Sequence, residues 1–164
     1  GQLLDQTLEI CQTLWTVESA AYSSPKYSFE KIHLNPKPLA SGGIPLWISG
    51  TLNKNVLRRI VRFGSGWIPW GPDALDPIGS LAKIAEEMEK GGRDMEGFQA
   101  GSYLQVVEDG GKIDVAATMG PVAAMAEAGI TDFRATLNLP NEEAAVQDML
   151  SPLVEAFRSA AGRS

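Results

Sequence analysis

Gly50 and Thr51 stand where an apolar run stops: Pro45-Leu-Trp-Ile-Ser-Gly50 reads as a buried strand, and helical sequence follows to Phe63. A glycine and a hydroxyl at such an exit let a phosphate approach backbone N–H groups at a helix N-terminus. The other reading is an ordinary tight turn between strand and helix. The remaining reactive residue types offer less. His33 and Cys11 are each the sole residue of their kind, which excludes a multi-His zinc site, a Cys-based metal site and an internal disulfide. His33 lies beside Pro-rich loop sequence and reads as structural or surface. Cys11 falls among apolar residues at helical spacing and reads as a small buried hydrophobe. The acid pairs Glu86-Glu87 and Glu142-Glu143 are adjacent on helices and diverge by about 100°, which suits a solvated face or a helix start, not acid–base work. Trp67 and Trp70 fall on opposite faces of a strand, so at most one of them lines a pocket. No Walker loop, Gly-x-Gly-x-x-Gly fingerprint or Ser/His/Asp set is present.

The elements that must hold these residues follow from periodicity. Leu4, Leu8, Cys11, Leu14 and Trp15 mark an amphipathic helix over residues 3–16. Residues 17–44 read as a long connection with one short strand within 27–34. Strand 46–49 leads into helix 53–63, whose inner stripe is Val56, Leu57, Ile60, Val61 and Phe63. Lys54, Arg58, Arg59 and Arg62 form its outer, solvated face. Gly64 is placed to end that helix in a left-handed turn. Strand 67–70 follows, then a helix capped by Asp76 with Pro77 at its first position, stopped at Gly91-Gly92. Strand 98–107 comes next. Residues 106–115 allow either a hairpin on Asp109-Gly-Gly111 or a plain loop into a helix, and the loop is preferred. Helix 121–128, strand 131–139 and a helix capped by Asn141, kinked or restarted at Pro152, complete the chain.

After its first helix and connection the sequence repeats strand–helix four times, the pattern of parallel strands with right-handed crossovers. Four such units are half the number in a (β/α)8 barrel, which typically needs about 250 residues against the 164 here, and a cut through the middle of such a barrel is one reading. The alternative is an open doubly wound sheet of flavodoxin type, which the strandless first helix and the long 17–44 connection disfavour. The net charge of −6 argues against a nucleic-acid surface. No apolar run approaches the length of a membrane span, no secretory signal opens the sequence, and a cytoplasmic location is the default expectation.

Leu4-Asp5 to Trp15, Pro36-Lys-Pro38, Pro45 to Gly50, Arg58-Arg59, Phe63-Gly-Ser-Gly-Trp-Ile-Pro69, Gly92-Arg-Asp94 and Ala128-Gly-Ile-Thr131 fall in an order and spacing that resembles the C-terminal half of the luciferase-like monooxygenases. The resemblance spans almost the whole chain and is most specific from Pro45 to Pro69. It implies an α/β fold, the C-terminal half of a (β/α)8 barrel, with residues 1–164 a single unit and a fragment carrying strands five to eight. It implies FMN or coenzyme F420 as cofactor and a small organic substrate. The family's cofactor phosphate region then falls on Ser49, Gly50, Thr51, Leu52 and Asn53, with Gly66 and Trp67 beside it. The resemblance assigns no catalytic residue here, because the family's proton-transferring groups lie largely on the first four strands. Two departures are visible: Ser49-Gly50 where Gly-Gly is common, and Ser65 where Asp is common. A half-barrel exposes two strand edges and an apolar face, so the expected partner is a second copy or an N-terminal half. The competing reading is a non-catalytic binding or oligomerisation module of the same shape.

Overall fold

A computed structural model describes residues 1–162. The chain runs α1 (Gln2–Thr16), β1 (Ala20–Ser23), β2 (Ser28–Ile32), β3 (Trp47–Ser49), α2 (Lys54–Phe63), β4 (Gly66–Ile68), a 3-10 turn (Gly71–Ala74), α3 (Pro77–Lys90), β5 (Gln99–Tyr103), β6 (Glu108–Asp109), β7 (Lys112–Ile113), α4 (Val115–Met119), α5 (Val122–Glu127), β8 (Asp132–Arg134) and α6 (Glu143–Ala160). The central sheet is four-stranded and ordered β3-β4-β5-β8, with each neighbouring pair parallel. The fold is therefore α/β with helical crossovers between parallel strands.

The core lies between this sheet and helices α2 and α3. Ile60, Trp67, Ile84, Met88 and Ala100 are all but sealed from solvent there. Strand alternation then fixes the other face. Trp67, Ala100 and Phe133 turn toward the helices, so Gly66, Ile68, Gly101, Tyr103 and Arg134 turn away from them.

Local signals set the helix starts. The Asn53 side-chain carbonyl accepts from the N–H groups of Asn55 (3.0 Å) and Val56 (3.2 Å), and Asp76 accepts from Gly79 N–H at 3.0 Å. Elsewhere the structure corrects the sequence reading. Gly64 is not left-handed; its φ is −75°. Its missing side chain serves close packing, because a Cβ there would lie 2.9 Å from the Ile60 backbone. Residues 106–115 form the hairpin after all: Gly110 (φ 55°) and Gly111 (φ 78°) turn β6 into antiparallel β7. The 17–44 connection holds two strands, not one, since β1 pairs antiparallel with β2. The strand expected over 131–139 stops at Arg134, where its only partner among the described residues, β5, also ends at Tyr103. Helix α6 is capped at Glu142 without a side-chain bond, not by Asn141, and runs through Pro152 as a single helix. Cys11 is half-buried rather than buried.

Of the basic residues of α2, Lys54, Arg58 and Arg62 lie on a solvated face as expected, whereas Arg59 is buried. Asp5 and Glu9, one turn apart on α1, meet the three arginines: Asp5 pairs with Arg58 and with Arg59 Nε (2.5 Å), and Glu9 with Arg62 (2.6 Å). Arg59 is buried at 9% exposure and also donates to the Gly1 carbonyl. Partial burial pushes the Asp5 carboxyl upward, but the hydrogen bond and charge of Arg59, with Arg58 and the N-terminal amine, outweigh it and hold the pKa below the usual 3.8. A depressed carboxylate contributes stability above its unfolded pKa and loses it as pH falls through the folded value. Asp5→Asn is expected to cost about 1–2 kcal/mol at pH 7, the scale of a charge-assisted hydrogen bond. Urea midpoints of the variant and the wild type should converge as pH drops below about 4. A gap that stays constant down to pH 2 would rule the ion pair out as its source.

Candidate functional site

The β3–α2 connection is held from three sides. Trp67, fully buried on β4, donates its indole N–H to the Gly50 carbonyl at 3.0 Å. Lys83 of α3 donates to the Leu52 carbonyl at 3.0 Å. Asp73, from the 3-10 turn after β4, accepts the Leu52 N–H at 2.6 Å. Gly50 adopts φ 143°, a backbone that residues with a side chain rarely take, and a Cβ there would press on Val56 at 3.3 Å.

These contacts sort the residues singled out from the sequence. Ser49, Gly50, Thr51 and Asn53 lie together at the C-terminal end of β3 and the start of α2. Ser49 and Thr51 are exposed, and the Thr51 hydroxyl donates only a long bond, 3.4 Å, to the Trp70 carbonyl. Leu52, Gly66 and Trp67 are set behind them. The Leu52 side chain is buried and its amide is engaged by Asp73. Gly66 lies under the Trp47 ring, 2.8 Å from where its Cβ would be. Trp67 is core, while Trp70 is exposed. The two tryptophans are separated, but β4 ends at Ile68, so Trp70 owes its exposure to the turn after the strand and not to strand alternation.

The donors left at the loop define what it can hold. The amides of Gly50, Leu52, Asn53, Asn55 and Val56 are already bonded within the protein. Among the described residues, the N–H groups of Thr51 and Lys54 make no such bond. With the hydroxyls of Ser49 and Thr51 and the first turn of α2, they form a donor set suited to an oxyanion. The Asp73 carboxylate beside Leu52 confines that oxyanion to the Thr51–Lys54 side. Sequence reasoning missed Asp73 and Lys83, since each acts on a residue more than twenty positions away.

The other acids behave as surface groups. Lys90 bridges Glu86 and Glu87 at 2.8 Å each, about one turn along α3. Its hydrogen bond draws the Glu86 carboxyl below its usual value. His33 is exposed. Among the described residues no three His, Cys, Asp or Glu side chains gather to hold a metal, and no helix is long and apolar enough to cross a membrane.

No curated protein matches the sequence. A solved structure of coenzyme F420-dependent tetrahydromethanopterin reductase from Methanopyrus kandleri is similar over 98% of this chain at 16% identity, with a TM-score of 0.48. The match covers 46% of that protein, so the chain spans less than half of its length. The model of the luciferase-like monooxygenases matches residues 1–160, and the chain belongs to that family.

Proposed function

We propose that this chain is part of a flavin- or F420-dependent oxidoreductase and supplies the phosphate end of the cofactor site at the β3–α2 connection. The reading rests on family membership and on one observation: the turn from Ser49 to Lys54 presents two unbonded amides, two hydroxyls and a glycine with φ 143° at a strand C-terminus. FMN and F420 both carry an anionic tail that such a turn accepts. Ser49, Thr51 and Lys54 would hold the tail, Asn53 would keep α2 aligned behind it, and Trp67 and Lys83 would fix the loop from below. The bound cofactor supplies the redox chemistry; the protein binds, orients and excludes water.

The four parallel strands are, in this reading, half of a closed eight-stranded cylinder, with β3 and β8 as its open edges. The remaining half comes from an N-terminal portion or a second copy. A non-catalytic half-barrel module is the competing reading.

Fluorescence titration with FMN and with F420 tests the proposal. Saturable binding of one of them is expected, and Gly50→Val should weaken it at least tenfold. Its side chain would strain the φ at residue 50 and narrow the approach to the Thr51 amide. Binding without turnover under a reductant would favour the module. No binding of either cofactor, or equal binding by Gly50→Val, would remove the phosphate assignment.

A further inference from the structure

A second polar cluster lies on the same sheet, three strands from the β3–α2 connection. Tyr103 is the last residue of β5 and Arg134 the last of β8, and the two are directly paired across the strands. Neither faces the helices. The residues preceding them do: Ser102 bonds Met125 of α5, and Phe133 packs edge-on against Phe157 of α6 with ring centres 5.3 Å apart. Tyr103 and Arg134 therefore project from the opposite face, at the strand C-terminal ends. The Tyr103 residue is 45% exposed and the Arg134 side chain 43%.

Arg134 is prepared but not consumed. Asp132, two residues earlier on the same face, accepts from its Nε at 2.6 Å. That bond fixes the guanidinium and leaves both terminal NH2 groups without a partner among the described residues. Asp132 pairs in register with Gly101, which brings no side chain to that face; a Cβ there would sit in ordinary contact with Pro69 (3.6 Å) and the Asp132 carboxylate (3.8 Å). The hydrogen bond and charge of Asp132, with a smaller contribution from Tyr103, raise the guanidinium pKa above its usual value. A planar fork of donors flanked by a phenol is the arrangement that grips a carboxylate or phosphate.

We infer that Arg134 and Tyr103 form an oxyanion-binding subsite that anchors the acidic group of the substrate. This rests on the oxidoreductase reading above, which makes this end of the sheet the reactive one. Three strand spacings, roughly 14 Å, separate the Ser49 strand from the Arg134 strand. The cofactor tail and the substrate's acidic group are thus placed on opposite flanks, with the middle strands between them. The substrate class is a small organic anion, carboxylate or phosphate.

The test is calorimetric titration with acetate and with inorganic phosphate at constant ionic strength, chloride as the balancing anion. Wild type should bind at least one of them saturably in the millimolar range. Arg134→Gln should weaken binding at least tenfold and Tyr103→Phe about threefold, with Arg134→Lys in between. A tenfold preference for acetate or for phosphate identifies which acidic group the subsite takes. Binding of neither anion by wild type, or equal binding by wild type and Arg134→Gln, overturns the inference. FMN and F420 titrations run beside it keep the two readings apart. Arg134-dependent anion binding without cofactor binding leaves the subsite and removes the phosphate assignment at the β3–α2 connection. Cofactor binding with anion affinity indifferent to Arg134 does the reverse.

Discussion

Replacing Trp67 by alanine is expected to destabilise the chain by about 3–5 kcal/mol, the range for deleting a large aromatic from a packed core. Trp67 has no exposed surface and sits in the layer that joins the sheet to α2 and α3, with Ile60, Ile84 and Met88 in the same core. Such a loss is a large share of the 5–15 kcal/mol typical of a folded domain. The substitution also removes the N–H that holds the Gly50 carbonyl. Trp67→Phe separates the two effects, since it keeps most of the ring volume and loses the hydrogen bond. It is expected to cost less than the alanine variant and to loosen the β3–α2 turn, read as faster exchange of the bonded amides of Gly50 and Leu52. Urea unfolding gives the stabilities. An alanine variant within about 1 kcal/mol of wild type would mean that Trp67 does not carry the core.

What could be read from the sequence divides by distance along the chain. Asn53 and Asp76 were legible because a cap acts on amides two or three residues away. The parallel sheet was legible because strand and helix alternate at regular spacing from Pro45 onward. Ser49, Gly50, Thr51 and Asn53 could be grouped because they fall within one five-residue stretch. The partners of these elements were hidden. The periodicity of α2 identified an apolar stripe, but nothing local says that Asp5 and Glu9, some fifty residues earlier, neutralise its arginines. Strand β1 escaped notice because Ala20-Ala-Tyr-Ser23 lacks a clear alternation and is defined by its pairing with β2. Tyr103 and Arg134 meet only through the β5–β8 register, which no spacing encodes. Gly64 shows a subtler miss: a helix-ending glycine is usually chosen for positive φ, whereas here it is chosen for contact with the Ile60 backbone.

Arg93 supplies the second large effect. It lies just past α3, where Gly91 and Gly92 end that helix; Gly92 takes φ 75°, and a Cβ on Gly91 would collide with Val61 at 2.4 Å. The two glycines let the chain turn tightly against the end of α2. There the Arg93 guanidinium donates to the carbonyls of Ile60 (3.0 Å), Val61 (2.7 Å) and Gly64 (3.0 Å). The Ile60 carbonyl also accepts the Gly64 N–H at 2.9 Å, while those of Val61 and Gly64 have no other donor among the described residues, and the positive charge meets the negative end of the α2 dipole. Arg93→Ala is expected to cost about 2–4 kcal/mol, from several charge-assisted bonds and partly buried carbonyls left without donors. Arg93→Lys should recover only part of this, because a single ammonium cannot span three carbonyls as the planar fork does. The same glycine-arginine segment therefore locks the C-terminal end of α2, and through the helix it holds the N-terminal end that Asn53 aligns at the candidate site. Denaturant midpoints ordered wild type, lysine, alanine are the expected result. A lysine variant as stable as wild type would show that charge alone, not the fork, secures the two helices.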